Sequence, residues 1–545
     1  MNPRAAWFDQ SKRATCSALL LACLTTTSWS VTAAELPSAE EIRQLVKDNM
    51  PAAMQQYREF LRLPNDGQYP EQTRANVDWV MEALDALSLD TQIIVSQGVP
   101  HVFAASETLE GAPTILFYLQ IDGQPVDPQA WDQDDPFEPV IKRARADGWE
   151  TLPASQWQKP INPEHRVFAR SASDSKGPAV SLLQALRVLR DQQFPLPYNI
   201  KLIADFQEEM GSPSLPALVT DNRELLAADV MLIMDGTRHL SNLPTLTFGA
   251  RGMATVTLTV YGAARDLHSG QYGNFAPNPV FTLSHLLASI KDEDGRVAIP
   301  GYYEGVELSA LERQSLANIP EDSQQIMADL GIASADAVGS SYQEALQYPS
   351  LNVRGLRAAW VGEEVRTLIP RQARAELDLR LVPETPAERQ LALLRQHIRD
   401  QGFYIVDNEP TAEDRRRYKK LLRLEQTIGS KPFRTDMNGY LATWLESAHR
   451  KMFGERFVKM RTTGGSQPIA PFIHTLGVPA VSVRIPNPDN SIHAPNENLR
   501  LGNFVEGMET CLAILTQPLK LPHAQALLNT TEPATATATA TTNRN

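Results

Sequence analysis

The chain has 545 residues, of which 42% are hydrophobic, and it carries a formal net charge of −13. This length is sufficient for two or more domains with substantial cores. The acidic balance argues against nucleic acid or an anionic membrane surface as the main partner, and it suits a protein that binds cations.

The first 34 residues have the pattern of an export signal. Lys12 and Arg13 precede an apolar run over 14–24, and small residues follow it. This run is too short to span a bilayer. We therefore expect cleavage near residue 34 and an exported protein, either periplasmic or secreted. A second interpretation is lipoprotein anchoring at Cys23, because the residues before it resemble a lipoprotein cleavage box.

Residues 35–247 are predicted to form the first part of an α/β catalytic domain. A capping box at Ser38 predicts a helix that ends near residue 62. Continuous apolar runs are typical of strands that are buried on both faces. The buried strands predicted in this way are 114–119, 199–206 and 230–234. The Pro- and Asp-rich stretch 131–163 is predicted to be a long surface loop.

The pattern changes at about residue 248. Strands at 253–261 and 372–381 alternate apolar and polar residues, as half-exposed antiparallel strands do. Together with intervening helices they predict an inserted α+β domain over 248–406. The stretch 300–349 within it has no regular pattern.

The α/β pattern returns over 407–520, where a last buried strand at 480–485 precedes a helix. The Ala-Thr alternation within 521–545 predicts a disordered tail. The predicted fold class is α/β, with a mostly parallel sheet flanked by helices and interrupted by the inserted domain.

Potential metal ligands recur where the predicted strands end or a helix begins. They are Asp122, Asp174, Glu208, Glu209, Asp235 and His493. The carboxyl ends of parallel strands share one edge of a sheet, so we expect these side chains to converge. Several carboxylates at one place repel each other unless a cation is bound. Carboxylates with imidazole suit zinc, manganese or cobalt better than calcium.

Several short motifs, some of which contain these residues, lie between about Ser38 and Gln517. They are I-D-G-Q-P-V at 121–126, S-D-S-K-G at 173–177, E-E-M-G-S at 208–212, D-L-H-S-G at 266–270, R-L-V-P at 380–383, G-G-S at 464–466 and H-A-P-N-E at 493–497. In this order they resemble the M20 metallopeptidase family, the group of carnosinase, carboxypeptidase G2 and succinyl-diaminopimelate desuccinylase, and its dipeptidase branch in particular. The resemblance implies a zinc-exopeptidase-like domain and a homodimer formed through the inserted lid domain.

The resemblance also implies a metal site. In the family pattern, Asp174 and a water molecule bridge two zinc ions. One ion would have Glu209 and His493 as further ligands. The other would have Asp235 and a histidine two residues before Asp122.

Catalytic and substrate-binding roles follow from the same resemblance. Glu208 would be the general base, and Asp122 would orient the metal histidine. His268 would stabilise the tetrahedral oxyanion, usually across a dimer interface. Arg380 would bind the substrate carboxylate through its planar fork. Further candidates for substrate contacts are Asn352, Gly465 and Ser466.

Gln120 departs from the family pattern, because it stands where the family has its first metal histidine. An amide oxygen is a weaker zinc ligand than imidazole and favours harder cations. Asp122 would then face an amide NH₂ group. We expect one or two zinc ions, with the tight one at Asp174, Glu209 and His493. The Gln120 site would be weak or exchangeable, or would take manganese or cobalt.

The sequence therefore predicts an exported metallopeptidase that hydrolyses dipeptides or small peptides. One alternative is an N-acyl amino-acid deacylase, because both kinds of substrate present an amide and a carboxylate to the same groups. Another is a non-catalytic relative that binds amino acids or peptides, which Gln120 favours. Neither a nucleic-acid partner nor a membrane span is expected.

Overall fold

The structure is a computed structural model, and it describes residues 36–522. The export signal predicted for 1–34 and nearly all of the tail predicted for 521–545 lie outside these residues. Within the described residues, no helix is both long enough and apolar enough to cross a membrane.

Eight strands of the described chain form a large mixed sheet. In spatial order they are Asp90–Ser96, Val99–Ala105, Asn199–Asp205, Thr114–Gln120, Val230–Ile233, Ala480–Arg484, Thr245–Thr247 and Val458–Met460. The central pairs, from Asn199–Asp205 to Ala480–Arg484, are parallel. Antiparallel pairs lie on both sides of them. The predicted α/β fold is confirmed, with a parallel centre inside a mixed sheet.

Helices cover both faces of the large sheet. In the strand Thr114–Gln120, Phe117 and Leu119 pack into one core, whereas Leu116 and Tyr118 pack into the other. This burial on both faces explains the continuous apolar runs. The helices on the first face are Ala39–Leu61, Pro70–Asp85, Gly177–Asp191, Tyr440–Phe453 and Leu501–Thr516, and those on the second are Leu215–Asp221, Arg223–Leu226 and Ala470–Leu476.

The helix starts follow from local sequence. Ser38 caps the helix Ala39–Leu61 by accepting a hydrogen bond from the Glu41 backbone N–H, and the Glu41 carboxylate accepts from the Ser38 N–H at 2.7 Å. Pro178 lies in the first turn of the helix Gly177–Asp191, where its missing N–H costs no hydrogen bond.

Five strands of the described chain form a smaller, largely antiparallel sheet. In spatial order they are Ser350–Arg357, Gln372–Leu381, Gly252–Tyr261, Leu421–Ile428 and Tyr404–Val406. The helices that cover one of its faces are Pro279–Ile290 and Ala387–Asp400. Val256 and Leu258 face them, two positions apart, as the alternating pattern predicts. The strand Leu421–Ile428 extends this sheet beyond residue 406.

The stretch 131–163 differs from the predicted surface loop. Its strands Val140–Arg145 and Gly148–Thr151 join Arg166–Phe168 and Asn498–Arg500 in an antiparallel sheet of four described strands. The partner Asn498–Arg500 is remote in the chain, so no local pattern could reveal the pairing. The sheet holds the residues just before Asn498 against the loop that follows Phe168.

The stretch 300–349 forms short helices against one edge of the large sheet. They are Ala310–Ala317, Ser323–Leu330 and Tyr342–Ala345. Leu316 and Ile319 pack with Val458 of the last sheet strand. Glu321 Oε1 lies 2.8 Å from His239 Nε2. The stretch therefore connects the smaller domain to the larger one.

Candidate active site

The carboxyl ends of neighbouring parallel strands bring the predicted acidic residues to one edge of the large sheet. The strand Thr114–Gln120 is parallel to its neighbours on both sides. The acidic residues that follow these strands are Asp122, Glu208, Glu209 and Asp235. This edge opens into a cleft of about 1150 Å³ that residues of both domains line. A cleft of this size can enclose a small molecule.

Asp174, Glu209 and His493 form a group whose potential ligand atoms all lie within 4.8 Å of one another. His493 Nε2 lies 3.0 Å from Asp174 Oδ2 and 3.2 Å from Glu209 Oε2. Hydrogen bonds to these two carboxylates raise the pKa of His493 to about 10. Two carboxylates and one imidazole are a donor set of zinc and similar divalent ions. The residues present therefore fit a metal ion at this position.

Glu497 fixes the loop that carries Asp174. Its buried carboxylate accepts hydrogen bonds from the backbone N–H groups of Ser171, Ser173 and Asp174 at 2.9, 2.8 and 2.9 Å. It also forms an ion pair with Arg170 at 2.8 Å. The sequence indicated Glu497 only as part of a motif. Its contacts cross more than half the chain, and no local pattern predicts them.

Asp122 positions the two glutamates. Its Oδ1 and Oδ2 accept hydrogen bonds from the backbone N–H groups of Glu208 and Glu209 at 2.9 and 3.1 Å. Among the hydrogen bonds of the described residues, the expected contact between Asp122 and the Gln120 amide does not occur. Burial raises the pKa of Glu208 well above its usual range, and the neighbouring carboxylates add to this effect. Such a carboxylate is suited to accept a proton.

Gln120, predicted as a metal ligand, directs its amide towards Glu209. Gln120 Nε2 donates to Glu209 Oε1 at 3.2 Å, and Gln124 Nε2 donates to Glu209 Oε2 at 2.7 Å. In this arrangement the Gln120 amide is a hydrogen-bond donor to one of the three potential metal ligands.

Asp235 accepts hydrogen bonds on both carboxylate oxygens. Ser175 Oγ lies 3.0 Å from Asp235 Oδ1, and Gln467 Nε2 donates to Oδ2 at 2.9 Å. Ser175 Oγ also lies 3.1 Å from Asp174 Oδ1. Arg484 lines the same cleft. No feature of the sequence predicted a role for Ser175, Gln467 or Arg484.

Arg380 projects into the cleft from the smaller sheet. Its Nη1 donates to Ser466 Oγ at 3.2 Å, and its Nε lies 3.6 Å from Asp378 Oδ2. Asn352 Nδ2 donates to Asp378 Oδ1 at 3.0 Å. Gly465 and Ser466 line the cleft. Asn352 is not among the described lining residues, and it is linked to Arg380 through Asp378. The predicted carboxylate-binding arginine is therefore held in a defined orientation.

His268 lies apart from the cleft of its own chain. It is exposed, at the junction of the strand Leu267–His268 and the short helix Ser269–Tyr272. Its Nδ1 accepts a hydrogen bond from the Gly270 backbone N–H at 3.1 Å. It is not among the described residues that line the cleft.

Comparison with known proteins identifies the family. Residues 116–517 match the family described as Peptidase family M20/M25/M40. The chain belongs to this family. The M20 resemblance drawn from the motifs is thereby confirmed, and the protein is a peptide hydrolase.

Curated M20 relatives include dipeptidases. Beta-Ala-His dipeptidase of Rattus norvegicus is 25% identical over 419 residues, which are 76% of this chain and 78% of the relative. Cys-Gly metallodipeptidase of Schizosaccharomyces pombe is 26% identical over 413 residues, 72% of this chain and 83% of the relative.

Solved M20 structures share the fold. An M20 family metallo-carboxypeptidase from Sulfolobus solfataricus aligns with a TM-score of 0.70 and 26% identity, over 86% of this chain and 99% of the other. Human carnosine dipeptidase 1 aligns with a TM-score of 0.68 and 22% identity, over 89% of this chain and 100% of the other.

Proposed function

We propose that this M20 family member is an exported, metal-dependent peptidase that hydrolyses dipeptides or small peptides. The observation that carries the proposal is the convergence of Asp174, Glu209 and His493 beside Glu208, in a cleft that also contains Arg380. A divalent ion bound there would lower the pKa of a water ligand to about 7 and would polarise a peptide carbonyl. We propose zinc, because imidazole with carboxylates is a common zinc donor set.

Glu208 is the proposed general base. It is adjacent in sequence to the ligand Glu209, and Asp122 holds the backbone N–H groups of both. Because its pKa is raised by burial and by neighbouring negative charge, Glu208 can accept a proton from the attacking water. It can then transfer this proton to the amine that leaves.

Arg380 is the proposed anchor for the substrate carboxylate. Ser466 and Asp378 hold its guanidinium from two sides, so that the planar fork faces the cleft in one orientation. Because the same cleft contains Arg380 and the proposed metal ligands, a substrate with its carboxylate at Arg380 and its scissile carbonyl at the metal would be short. The dipeptidase names of the rat and yeast relatives support this substrate class.

A homodimer through the smaller domain would bring His268 to an active site. His268 is exposed and does not line the cleft of its own chain. The strand Ser350–Arg357 is an edge strand, and Leu356 on it is 60% exposed, while Phe281 on the same domain is 68% exposed. We propose that these surfaces pair two chains and that each His268 stabilises the oxyanion in the partner's cleft.

The dimer is tested by mixing two inactive variants, His268→Ala and Glu208→Gln. If His268 acts on the partner's cleft, a mixed dimer contains one site with both residues, and activity returns on mixing. Activity that stays absent after subunit exchange, in a mixture shown by light scattering to be dimeric, would mean that His268 serves its own chain.

Export is proposed from Lys12, Arg13 and the apolar run 14–24. Cell fractionation followed by N-terminal sequencing tests it. A periplasmic or secreted chain that begins near residue 35 supports export. A full-length chain in the cytosol contradicts it, and a membrane-bound chain that begins at Cys23 favours the lipoprotein interpretation.

The hydrolase itself is tested with metal-stripped protein that is reloaded with zinc and assayed on a panel of dipeptides and N-acyl amino acids. We expect dipeptide turnover that depends on zinc and that Glu208→Gln abolishes without loss of bound zinc. Preferential turnover of N-acyl amino acids would favour the deacylase alternative. A zinc-loaded protein that turns over no substrate would favour the binding-protein alternative.

A further inference from the structure

Arg484 is a buried cation that the proposed chemistry does not use. It is the last residue of the strand Ala480–Arg484, which is parallel to the strand that precedes Asp235. The residue is only 7% exposed. Within the described part of the chain, its Nε and Nη2 atoms have no hydrogen-bond partner.

Gly236 provides the space for this guanidinium. A Cβ atom at residue 236 would lie 1.2 Å from Arg484 Nη1. The φ angle of Gly236 is +88°, which other residues rarely adopt. Arg484 therefore packs directly against the residue that follows Asp235, and it lines the cleft.

The negative charges that act on Arg484 are those of Asp235 and Asp174. Burial lowers the pKa of Arg484, and these two carboxylates oppose that effect. A buried guanidinium is unfavourable unless anionic groups stabilise it. Conversely, a positive charge here reduces the repulsion within the carboxylate cluster. Arg484 thus lies where the cluster requires a second cation.

A second metal ion does not fit the Asp235 side of the cleft. Both Asp235 oxygens already accept hydrogen bonds, from Ser175 and Gln467. Gln120 does not add an imidazole ligand here, and its amide Nε2 is already engaged as a donor to Glu209. An ion placed here would displace these donors and would be repelled by Arg484.

We propose that this protein binds one metal ion, at Asp174, Glu209 and His493, and that Arg484 provides the positive charge that a second ion would provide beside Asp235. This inference rests on the proposed function, because it concerns the same site. Arg484 is a positioning residue. By offsetting the charge of Asp235 and Asp174, it reduces the repulsion among the carboxylates around the single ion.

The test counts zinc ions per chain in the purified full-length protein by mass spectrometry and calorimetry after dialysis. We expect one zinc ion per chain in the wild type and in Gln120→His, because the guanidinium still excludes the second ion. The double variant Gln120→His/Arg484→Met has a histidine ligand and no guanidinium, and we expect it to bind two zinc ions.

Matched variants separate charge from packing. Arg251 is another arginine with 7% exposure, outside the metal cluster, and Arg251→Met in the Gln120→His background should still bind one ion. Two tight ions in the wild type or in Gln120→His alone would overturn the proposal. So would a double variant that remains at one ion while its circular dichroism and melting temperature match those of the wild type. Should the double variant fail to fold, the Gln120→His result decides.

The count is independent of the proposed peptidase activity. If Glu208→Gln abolishes turnover while the wild type holds two ions, the peptidase stands and the Arg484 inference fails. If the wild type holds one ion but no dipeptide or N-acyl amino acid is turned over, the proposed function fails at its own test.

Discussion

The carboxylates on the two sides of the cleft floor have different neighbouring groups. On the metal side, defined by Asp174, Glu209 and His493, the potential ligand atoms all lie within 4.8 Å of one another, close enough to share one divalent ion. On the arginine side, defined by Asp235, Gln467 and Arg484, both carboxylate oxygens accept hydrogen bonds and a guanidinium lies close by.

The two sides belong to the same sheet edge, and both are rich in acidic groups. If one ion binds as proposed, the number of carboxylates in a cluster does not determine the number of ions bound. What matters is the group that faces each carboxylate. On the metal side, His493 becomes a ligand when a metal ion displaces its proton. On the arginine side, we propose that an amide N–H and a guanidinium take the place of an ion.

The largest effect on zinc affinity is expected when the negative charge of Asp174 is removed, and the matched removal at Asp235 provides the comparison. Asp174→Asn should weaken zinc affinity by more than roughly 100-fold, beyond the range found for groups that only support a ligand. The matched change Asp235→Asn should weaken it by less than about tenfold, because Asp235 binds protein donors instead of the ion. Zinc titration with a competing chelator measures both. Equal losses would show that Asp235 is also a ligand.

A smaller effect is expected from the residue that supports the metal side. Glu497→Gln keeps the shape of the side chain but removes its charge, which weakens the hydrogen bonds to the loop that carries Asp174. Zinc affinity should fall by roughly 10- to 100-fold. The control Glu506→Gln changes a glutamate that pairs with Arg238 outside the cleft, and its zinc affinity should equal that of the wild type. An unchanged affinity in Glu497→Gln would mean that the loop needs no such support.

A substitution of Arg380 tests the proposed binding of the substrate carboxylate. Arg380 belongs to neither side of the cleft floor, because it comes from the smaller sheet. Arg380→Met should lower kcat/KM for dipeptides by roughly 10- to 100-fold, mainly through KM, because a charged hydrogen bond to the substrate is lost. Zinc content should not change. Asn352→Ala, which acts only through Asp378, should have a smaller effect. A normal KM in Arg380→Met would place the carboxylate-binding site elsewhere.

The smallest effect on the site is expected from His449, which lies in the core and not in the cleft. Its titration affects the stability of the protein in acid, and this effect must be distinguished from the loss of metal at low pH. Burial lowers the pKa of His449 to about 4, from an ordinary value of 6.5. The unfolded chain therefore binds the proton more readily. The contribution of neutral His449 to the free energy of unfolding is therefore fully present above about pH 6.5. It falls by about 3 kcal/mol as the pH approaches 4.

His449→Phe removes this titration and keeps an aromatic ring in the core. Chemical denaturation of the metal-free protein at several pH values measures the difference. The variant should lose about 3 kcal/mol less between these pH values than the wild type does. Identical pH profiles would show that His449 does not control the acid response.

Much of the fold could be predicted from the sequence, because its signals are local. The apolar run of Thr114–Gln120 and the alternation in Gly252–Tyr261 each reflect the faces that the strand buries. The acidic residues after parallel strands could be expected to converge, and Asp122 does contact the backbone of Glu208 and Glu209. In the stretch 131–163, the strands Val140–Arg145 and Gly148–Thr151 pair with each other across a short turn, so the loop prediction missed a local hairpin. Only the pairing of Arg166–Phe168 with the distant strand Asn498–Arg500 had no local signal.

The arginine side was also beyond prediction, for a similar reason. Gln467 and Arg484 lie more than 200 residues from Asp235 and have no local feature that marks them. The role of Asp122 was anticipated as support for a metal ligand, but its carboxylate binds backbone N–H groups of the two glutamates. Such contacts become visible only when the strands are assembled.

The most direct measurement is the dipeptide hydrolysis rate of metal-stripped protein as zinc is added in fractions of an equivalent. We expect the rate to rise linearly and to reach its maximum at one zinc ion per chain, with no turnover by Glu208→Gln at any ratio. A rate that stays at zero until the second equivalent, or that does not depend on zinc, would contradict a single-ion peptidase at Asp174, Glu209 and His493.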